Sequence, residues 1–81
     1  EHGRARIAEV TLADDSPAIG KTLTALGFPR ESTVVAVLRE GHVLVPRGDT
    51  VLLRGDEVIM LAMSEAEDEV RRILIGSAQT A

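Results

Sequence analysis

The chain has 81 residues, no cysteine and a formal net charge of −4, from 13 acidic and 9 basic side chains. This length allows one domain, and the excess of negative charge disfavours nucleic-acid binding. The absence of cysteine excludes disulfides and thiolate chemistry. Phe28 is the only aromatic residue, so the hydrophobic content of 44% is almost entirely aliphatic, as is typical of strand-rich cores.

The hydropathy pattern gives no membrane segment. The longest apolar run, residues 58–63, is too short to span a bilayer, and we expect no signal peptide. We therefore expect a cytoplasmic chain without direct membrane insertion. Residues 1–5 are interpreted as a linker or cloning remnant, residues 6–76 as the domain and residues 77–81 as a tail.

The first part of the chain predicts a strand followed by a helix. Alternating hydropathy from Arg6 to Leu12 indicates the strand. Ser16 is a good N-cap and Pro17 suits the first helical position. A helix of about three turns should therefore begin there and end at Gly27.

The middle of the chain predicts four strands joined by short turns. Residues 33–39 are apolar on both faces, which indicates a buried strand. Glu40 and Gly41 form a two-residue turn into a partner strand at 42–46. A short strand at 51–53 and a longer one at 57–63 follow, each after a Gly-Asp turn.

The last element is predicted to be a helix. Ser64 and Glu67 are spaced as a capping box, and the apolar periodicity continues to Ile75 before Gly76. The predicted order is β-α-β-β-β-β-α. The fold class is α+β, with a small, mostly antiparallel sheet, two helices and an expected dimeric state.

No catalytic or metal-binding constellation is visible in the sequence, so we expect the chain not to be an enzyme. The two histidines are His2, in the predicted linker, and His42. Asp14 and Asp15 are better explained as helix-start residues than as a catalytic carboxylate pair. Asp49 and Asp56 each follow a glycine and are better explained as turn residues than as metal ligands.

The predicted hairpin is the most informative segment. A two-residue loop places Arg39 opposite His42 and Val37 opposite Leu44, and directly opposed residues share a face. One face is predicted as core and carries Ala36, Leu38, Val43 and Val45. The other is an apolar strip with a guanidinium and an imidazole at its turn end, and carries Val35, Val37, Arg39, His42, Leu44 and Pro46.

Two interpretations of this strip remain open. It is either covered by a second copy or a helix, with Arg39 extending to water, or it forms a ligand groove. In the groove interpretation, apolar side chains hold a flat base while Arg39 binds a phosphate. The two are compatible, because two strips that meet at a twofold axis form a symmetric cleft.

The run from Val34 to Leu52 (VVAVLREGHVLVPRGDTVL), followed by Gly55 to Val58 (GDEV), resembles the C-terminal RCK domain, also called the TrkA C-terminal domain. The earlier stretch from Ser16 to Leu23 (SPAIGKTL) resembles the first helix of that family. The resemblance covers about residues 6–76. The order and spacing of the whole series carry it, rather than any single motif.

The resemblance implies a cytosolic regulatory module of a prokaryotic potassium channel, potassium uptake system or cation/proton antiporter. Such modules usually form homodimers, and in several relatives the dimer cleft binds cyclic di-AMP. That dinucleotide is therefore the expected effector, with no other cofactor. Carried over by position, Arg39 would contact phosphate, and the base pocket would be shaped by Val37, His42, Leu44 and Pro46. Val43 and Val45 would contribute through their backbone.

Two other functions remain open at this point. The chain is either a ligand-independent dimerisation domain, which transmits movement from a neighbouring nucleotide-binding domain, or a stand-alone partner that docks on a transporter. Under the ligand hypothesis, Arg39→Ala is expected to weaken binding and leave the fold intact.

Overall fold

The computed structural model describes residues 4–76. Residues 1–3 of the predicted linker and the whole predicted tail, 77–81, lie outside this range. The strands are β1 (Ala5–Thr11), β2 (Ser32–Arg39), β3 (His42–Leu44) and β4 (Glu57–Met63). The helices are α1 (Leu23–Leu26) and α2 (Glu67–Ile75), and a 3₁₀ turn (Ser64–Ala66) precedes α2. The α+β class is confirmed.

The four strands form one antiparallel sheet in the order β1-β4-β2-β3. One face of this sheet packs against α2 and the segments around α1, and the core lies between them. The largest fully buried apolar side chains are Leu12, Val37, Leu52, Val58, Met60, Val70 and Leu74. The opposite face leaves large apolar side chains exposed, among them Ile7, Leu61 and Val43; we call it the open face.

The first helix is much shorter than predicted. Residues 17–20 form a turn, and Gly20 has a φ of 85°, which lies outside the helical region. Its N–H donates to the carbonyl of Leu52 at 2.8 Å. The helix begins only after Thr22, whose Oγ1 accepts from the N–H of Ala25 at 3.1 Å, and it ends at Gly27 as predicted.

The predicted strand at 51–53 is reduced to one bridge, between Thr22 and Val51. This segment belongs to a loop, residues 47–56, whose backbone bonds to residues 20–24 and to Leu12 without forming a further strand of the sheet. The hairpin partner β3 also ends earlier than predicted, at Leu44. Pro46 has no N–H to donate to a strand ladder, which accounts for that early end.

The predicted capping box is wrong. No side-chain cap is formed at the start of the 3₁₀ turn. The backbone N–H of Ser64 donates to the carbonyl of Arg4 at 2.7 Å. Because the 3₁₀ turn separates Ser64 from α2, Glu67 starts the helix and lies 4.0 Å from Arg6 instead.

The hairpin register is confirmed. Val37 pairs with Leu44, Leu38 with Val43 and Arg39 with His42. The turn residue Glu40 has a φ of 52° and Gly41 one of 79°. Left-handed conformation at both positions is the geometry of a tight two-residue hairpin turn.

The prediction of which hairpin face is core is wrong. Val37 is fully buried opposite Val58, whereas Val43, predicted as core, is 67% exposed. Ala36 and Leu38 lie on the open face with Val43. The register of β2 shifts between Val34 and Ala36, so one extra residue changes the alternation along the strand.

Candidate functional site

Arg39 and Asp56 form a bidentate ion pair below the hairpin turn. Arg39 Nε donates to Asp56 Oδ1 at 2.9 Å, and Nη2 donates to Oδ2 at 2.7 Å. The same Nη2 also donates to the carbonyl of Val51 at 2.9 Å. The N–H of Leu53 donates to Asp56 Oδ2 at 2.9 Å. Both oxygens of the carboxylate are therefore satisfied.

The pair is largely buried, so the loss of either partner would leave a poorly solvated charge. The side chain of Asp56 is 1% exposed and that of Arg39 is 31% exposed. Burial alone would raise the pKa of Asp56, but the hydrogen bonds from Arg39 and Leu53, with the charge of Arg39, outweigh it and lower that pKa. The hydrogen bond to Asp56 raises the pKa of Arg39.

This ion pair changes the interpretation of Arg39. Two of its three guanidinium nitrogens, Nε and Nη2, are bound to a carboxylate and a carbonyl, so only Nη1 is left to donate to a phosphate. Truncation to alanine would leave Asp56 buried without its cation, which is strongly destabilising. The structure therefore argues against the expectation that Arg39→Ala leaves the fold intact.

Within one copy of the chain, the predicted site residues do not share a cleft. Val37 has no exposed surface, and Leu44 packs partly buried against the core. His42, Val43 and Val45 are exposed. Pro46 is half-buried, and of the seven predicted residues it alone lines the groove described next.

A shallow groove of about 410 Å³ lies between α1, the start of β2 and the beginning of the 47–56 loop. Binding pockets for small molecules fall between roughly 300 and 1,000 Å³. The groove therefore has room for one nucleobase-sized group. Its lining residues are Leu23, Thr24, Gly27, Phe28, Ser32, Thr33, Val34, Pro46, Arg47 and Gly48.

The groove exists because β3 is short. β3 pairs only with residues 37–39 of β2, while β4 pairs with β2 from Ser32 onward. Within residues 4–76, the side of β2 that faces away from β4 has no strand partner between residues 32 and 36. Backbone groups along such an edge are available to hydrogen-bond another molecule.

The side chains of the groove combine an aromatic ring, hydroxyl groups and a cation. Phe28, Thr33 and Arg47 contribute one of each. An aromatic face stacks on a flat heterocycle, and a guanidinium binds a phosphate. Sequence reasoning missed this group because its members come from three separate segments, and the single aromatic residue was the only sequence signal.

The open face adjoins this groove. Its central row consists of Ile7, Leu61 and Thr33, and Thr33 also lines the groove. The next row contains Glu9, Ile59 and Ala36. A second, smaller recess of about 270 Å³ at the end of this face is lined by Ala5, Arg30, Glu31, Ser32, Thr33, Leu61, Ala62 and Met63.

None of the helices between residues 4 and 76 is long and apolar enough to cross a membrane. Across the same residues, no three His, Asp or Glu side chains are grouped so that they could hold a metal ion.

Comparison with known proteins places the chain in one family. The family model of the TrkA-C domain matches residues 7–75. The Trk system potassium uptake protein TrkA of Mycobacterium tuberculosis is 41% identical over 75 residues, which cover 93% of this chain and 34% of that protein. A TrkA homolog of Methanosarcina mazei is 34% identical over 73 residues, 90% of this chain and 16% of that protein.

Solved structures share the fold. A structure described as an RCK domain with cda superimposes with a TM-score of 0.69 and 28% identity, over 84% of this chain and 96% of the other. The RCK_C domain dimer of BusR from S. agalactiae in complex with c-di-AMP gives a TM-score of 0.70 and 23% identity, over 83% and 92%. At that lower identity only the fold is shared.

Proposed function

The chain belongs to the TrkA-C domain family, and we propose that it is a cytoplasmic regulatory domain that controls a potassium channel, a potassium uptake system or a cation/proton antiporter. It acts by binding a ligand at the interface of a homodimer, with cyclic di-AMP as the effector and no catalytic activity. The chain spans about a third of the Mycobacterium tuberculosis relative. The identity of the transport partner is therefore proposed, and the similarity to potassium uptake proteins supports this choice of partner.

The groove beside the unpaired segment of β2 is the observation that carries the ligand proposal. It offers Phe28 and Pro46 as apolar surfaces for a base, and Arg47 as the cation for a phosphate. Relatives of the same fold have been solved with cda and with c-di-AMP. We assign the ligand to this groove instead of the hairpin tip, because Arg39 is already paired with Asp56.

A second copy of the chain is the proposed cover of the open face. The domain measures 39 × 34 × 22 Å, so it is thin and has two broad sides, of which α2 and the segments around α1 cover one. A broad side with that outline is large enough for the ~800 Å² per partner of a stable interface. Ile7 and Leu61 would lie within it. The BusR domain, which shares the fold, has been solved as a dimer.

The two parts of the proposal fit together geometrically. Because Thr33 belongs both to the open face and to the groove, a twofold axis through the open face brings two grooves near one another. A cyclic dinucleotide has two equivalent halves and suits such a symmetric cleft. Regulation follows when the ligand prefers one dimer geometry, and the shift is limited by that preference.

Calorimetric titration of cyclic di-AMP into the chain tests the groove directly. We expect saturable binding at one ligand per two chains. Arg47→Ala should weaken binding at least about tenfold, since a charge-assisted contact is lost. Phe28→Leu should also weaken it, because an apolar side chain remains but ring stacking does not. Arg54→Ala is the matched control, since Arg54 is exposed and lies outside the groove.

Three outcomes would contradict parts of the proposal. Wild-type affinity in both Arg47→Ala and Phe28→Leu would remove the ligand from the groove. A stoichiometry of one ligand per chain would argue against the symmetric cleft. No binding, with a dimer still present by sedimentation, would favour the ligand-independent coupling domain instead.

That alternative is supported by the open face itself. Its exposed apolar side chains, among them Ile7, Leu61 and Val43, suffice to hold two copies together without a ligand. In that case the domain would transmit the movement of a neighbouring nucleotide-binding domain. The dimer would then have the same sedimentation coefficient and thermal stability with and without cyclic di-AMP.

A further inference from the structure

The Arg39–Asp56 ion pair lies apart from the groove. Neither residue lines it. Both line a different recess of about 350 Å³ near the hairpin turn, together with Glu40, Leu53, Arg54 and Gly55. Any effect of the pair on a ligand in the groove must therefore pass through other residues.

The pair is attached to the 47–56 loop at two points. Arg39 Nη2 donates to the carbonyl of Val51 at 2.9 Å, and Leu53 N–H donates to Asp56 Oδ2 at 2.9 Å. Leu52, between these two points, accepts from Gly20 N–H at 2.8 Å and donates to Lys21 O at 3.0 Å. The ion pair thus fixes the stretch of loop that bonds to the segment before α1.

The same loop carries α1. Leu23 N–H donates to Thr50 O at 3.1 Å, and Thr24 N–H donates to Gly48 O at 3.0 Å. Helix α1 has four residues, and a helix that short is not stable without outside contacts. Leu23, Thr24 and Gly48 all line the groove. Hydrogen bonds of the loop therefore join two of the segments that line it, α1 and the start of the 47–56 loop.

From this chain of contacts we propose that Arg39 and Asp56 are positioning residues. Through the 47–56 loop, their ion pair sets the distance between two segments that line the groove, α1 and the start of the loop at Gly48. The ligand part of this inference rests on the proposed function. Breaking the pair weakens the attachment of the loop to Arg39 at Val51, loosens the bonds at Leu23 and Thr24, and reduces ligand affinity without removing a ligand contact.

Asp56→Asn distinguishes this role from direct phosphate binding, because the two roles predict opposite changes in the affinity for cyclic di-AMP. The amide nearly preserves the shape of the carboxylate and still accepts from Leu53 N–H, but it loses the charge that holds Arg39. If Arg39 were a phosphate ligand, freeing its guanidinium would strengthen cyclic di-AMP binding. A positioning pair predicts weaker binding instead, by roughly 2- to 30-fold.

Amide hydrogen exchange without ligand tests the loop itself. In Asp56→Asn, and in Arg39→Lys as a milder variant, we expect the amides of Leu23, Thr24 and Leu52 to exchange at least about tenfold faster. Amides in the β1–β4 ladder should keep their protection. A uniform acceleration in both variants would indicate global destabilisation and overturn the positioning role.

The titration and the hydrogen-exchange experiment test separate parts of the inference. If wild-type chain does not bind cyclic di-AMP, the proposed ligand is wrong, while the exchange pattern still decides whether the ion pair fixes the loop. Unchanged exchange at Leu23 and Thr24, or tighter binding in Asp56→Asn, overturns the inference. Arg54→Lys is the control for Arg39→Lys, because Arg54 lies in the same loop and makes only a 3.7 Å contact with Asp14.

Discussion

Ser16 donates a hydrogen bond from its hydroxyl to the carbonyl of Leu74 at 2.6 Å, although 58 positions separate the two residues in sequence. The hydroxyl oxygen also accepts from the N–H of Ala18 at 3.1 Å. One buried side chain therefore joins the turn after β1 to the last turn of α2.

Ser16→Ala should lower the free energy of unfolding by about 1–3 kcal/mol, because the carbonyl of Leu74 and the N–H of Ala18 lose a buried partner. Urea denaturation followed by circular dichroism measures the change. Ser64→Ala is the control, since Ser64 is exposed and its hydroxyl contacts only Glu65, at 3.4 Å. Equal stability of the two variants would contradict the bridging role.

Asp56→Ala should destabilise the domain by about 2–4 kcal/mol, since it leaves Arg39 without its carboxylate and Leu53 N–H without its acceptor. Asp49→Ala provides a matched control, because Asp49 also follows a glycine in the loop but is exposed. We expect the control to change the urea midpoint little. A similar loss in both variants would show that turn formation, and not the ion pair, accounts for the effect.

Stability should fall in acid because of Asp56. Its pKa is lower in the folded chain than in the unfolded chain, so the folded state binds fewer protons. Its stabilising contribution is complete above the unfolded value of about 3.9 and is lost as the pH falls through the lower folded value. Urea midpoints from neutral pH to about pH 3 measure this loss. Asp56→Asn should show a shallower fall than the wild type, and an identical profile would contradict the assignment.

Ile7→Glu should disrupt self-association if a second copy covers the open face. A buried carboxylate there should raise the dissociation constant of the dimer by about 30-fold or more, which sedimentation velocity measures across a concentration series. Ile75→Glu is the control. Ile75 on α2 is 50% exposed and Ile7 is 59% exposed, so only the location of the charge differs. Loss of the dimer in the control alone would move the interface to α2.

Gly48→Ala should disturb the groove by contact with Thr24. A Cβ at position 48 would come within 2.6 Å of Thr24 Oγ1, so the side chain or the loop must move. Overpacking in a core costs roughly 1–3 kcal/mol, and because Thr24 is exposed and its hydroxyl can rotate, we expect a loss at the lower end of that range. Thr24→Ala removes the clashing atom, and the double variant should recover most of the lost stability. Additive losses in the double-mutant cycle would contradict this account.

Sequence patterns were sufficient for the class of fold and for the hairpin. The dipeptide Glu40-Gly41 fixed the turn, and the turn fixed the register of Arg39 with His42. Local chemistry determines such features, because a two-residue loop leaves little choice of pairing.

The phase of β2 was not predictable in the same way. Its sequence is apolar at successive positions, so alternation does not distinguish the core face from the open face. The extra residue at Val35 shifts the pairing with β4. As a result, Val37 lies in the core, where the sequence pattern indicated a ligand surface.

The groove could not be predicted from the sequence, for a different reason. Phe28, Thr33 and Arg47 meet only after the loop has bonded to α1 and β3 has ended early. Similarly, nothing near Arg39 in sequence indicates that Asp56, 17 positions away, will bind it. Tertiary contacts of this kind depend on the assembled fold.

The early end of β3 also affects how recognition by this domain can diverge. A ligand held by the bare edge of β2 bonds to peptide groups, and every sequence supplies the same peptide groups. Substitutions at Phe28, Thr33 or Arg47 would then change which base or anion is preferred while the edge itself persists. If the ligand binds there, the short strand leaves this chain a surface on which ligand choice can change separately from the fold.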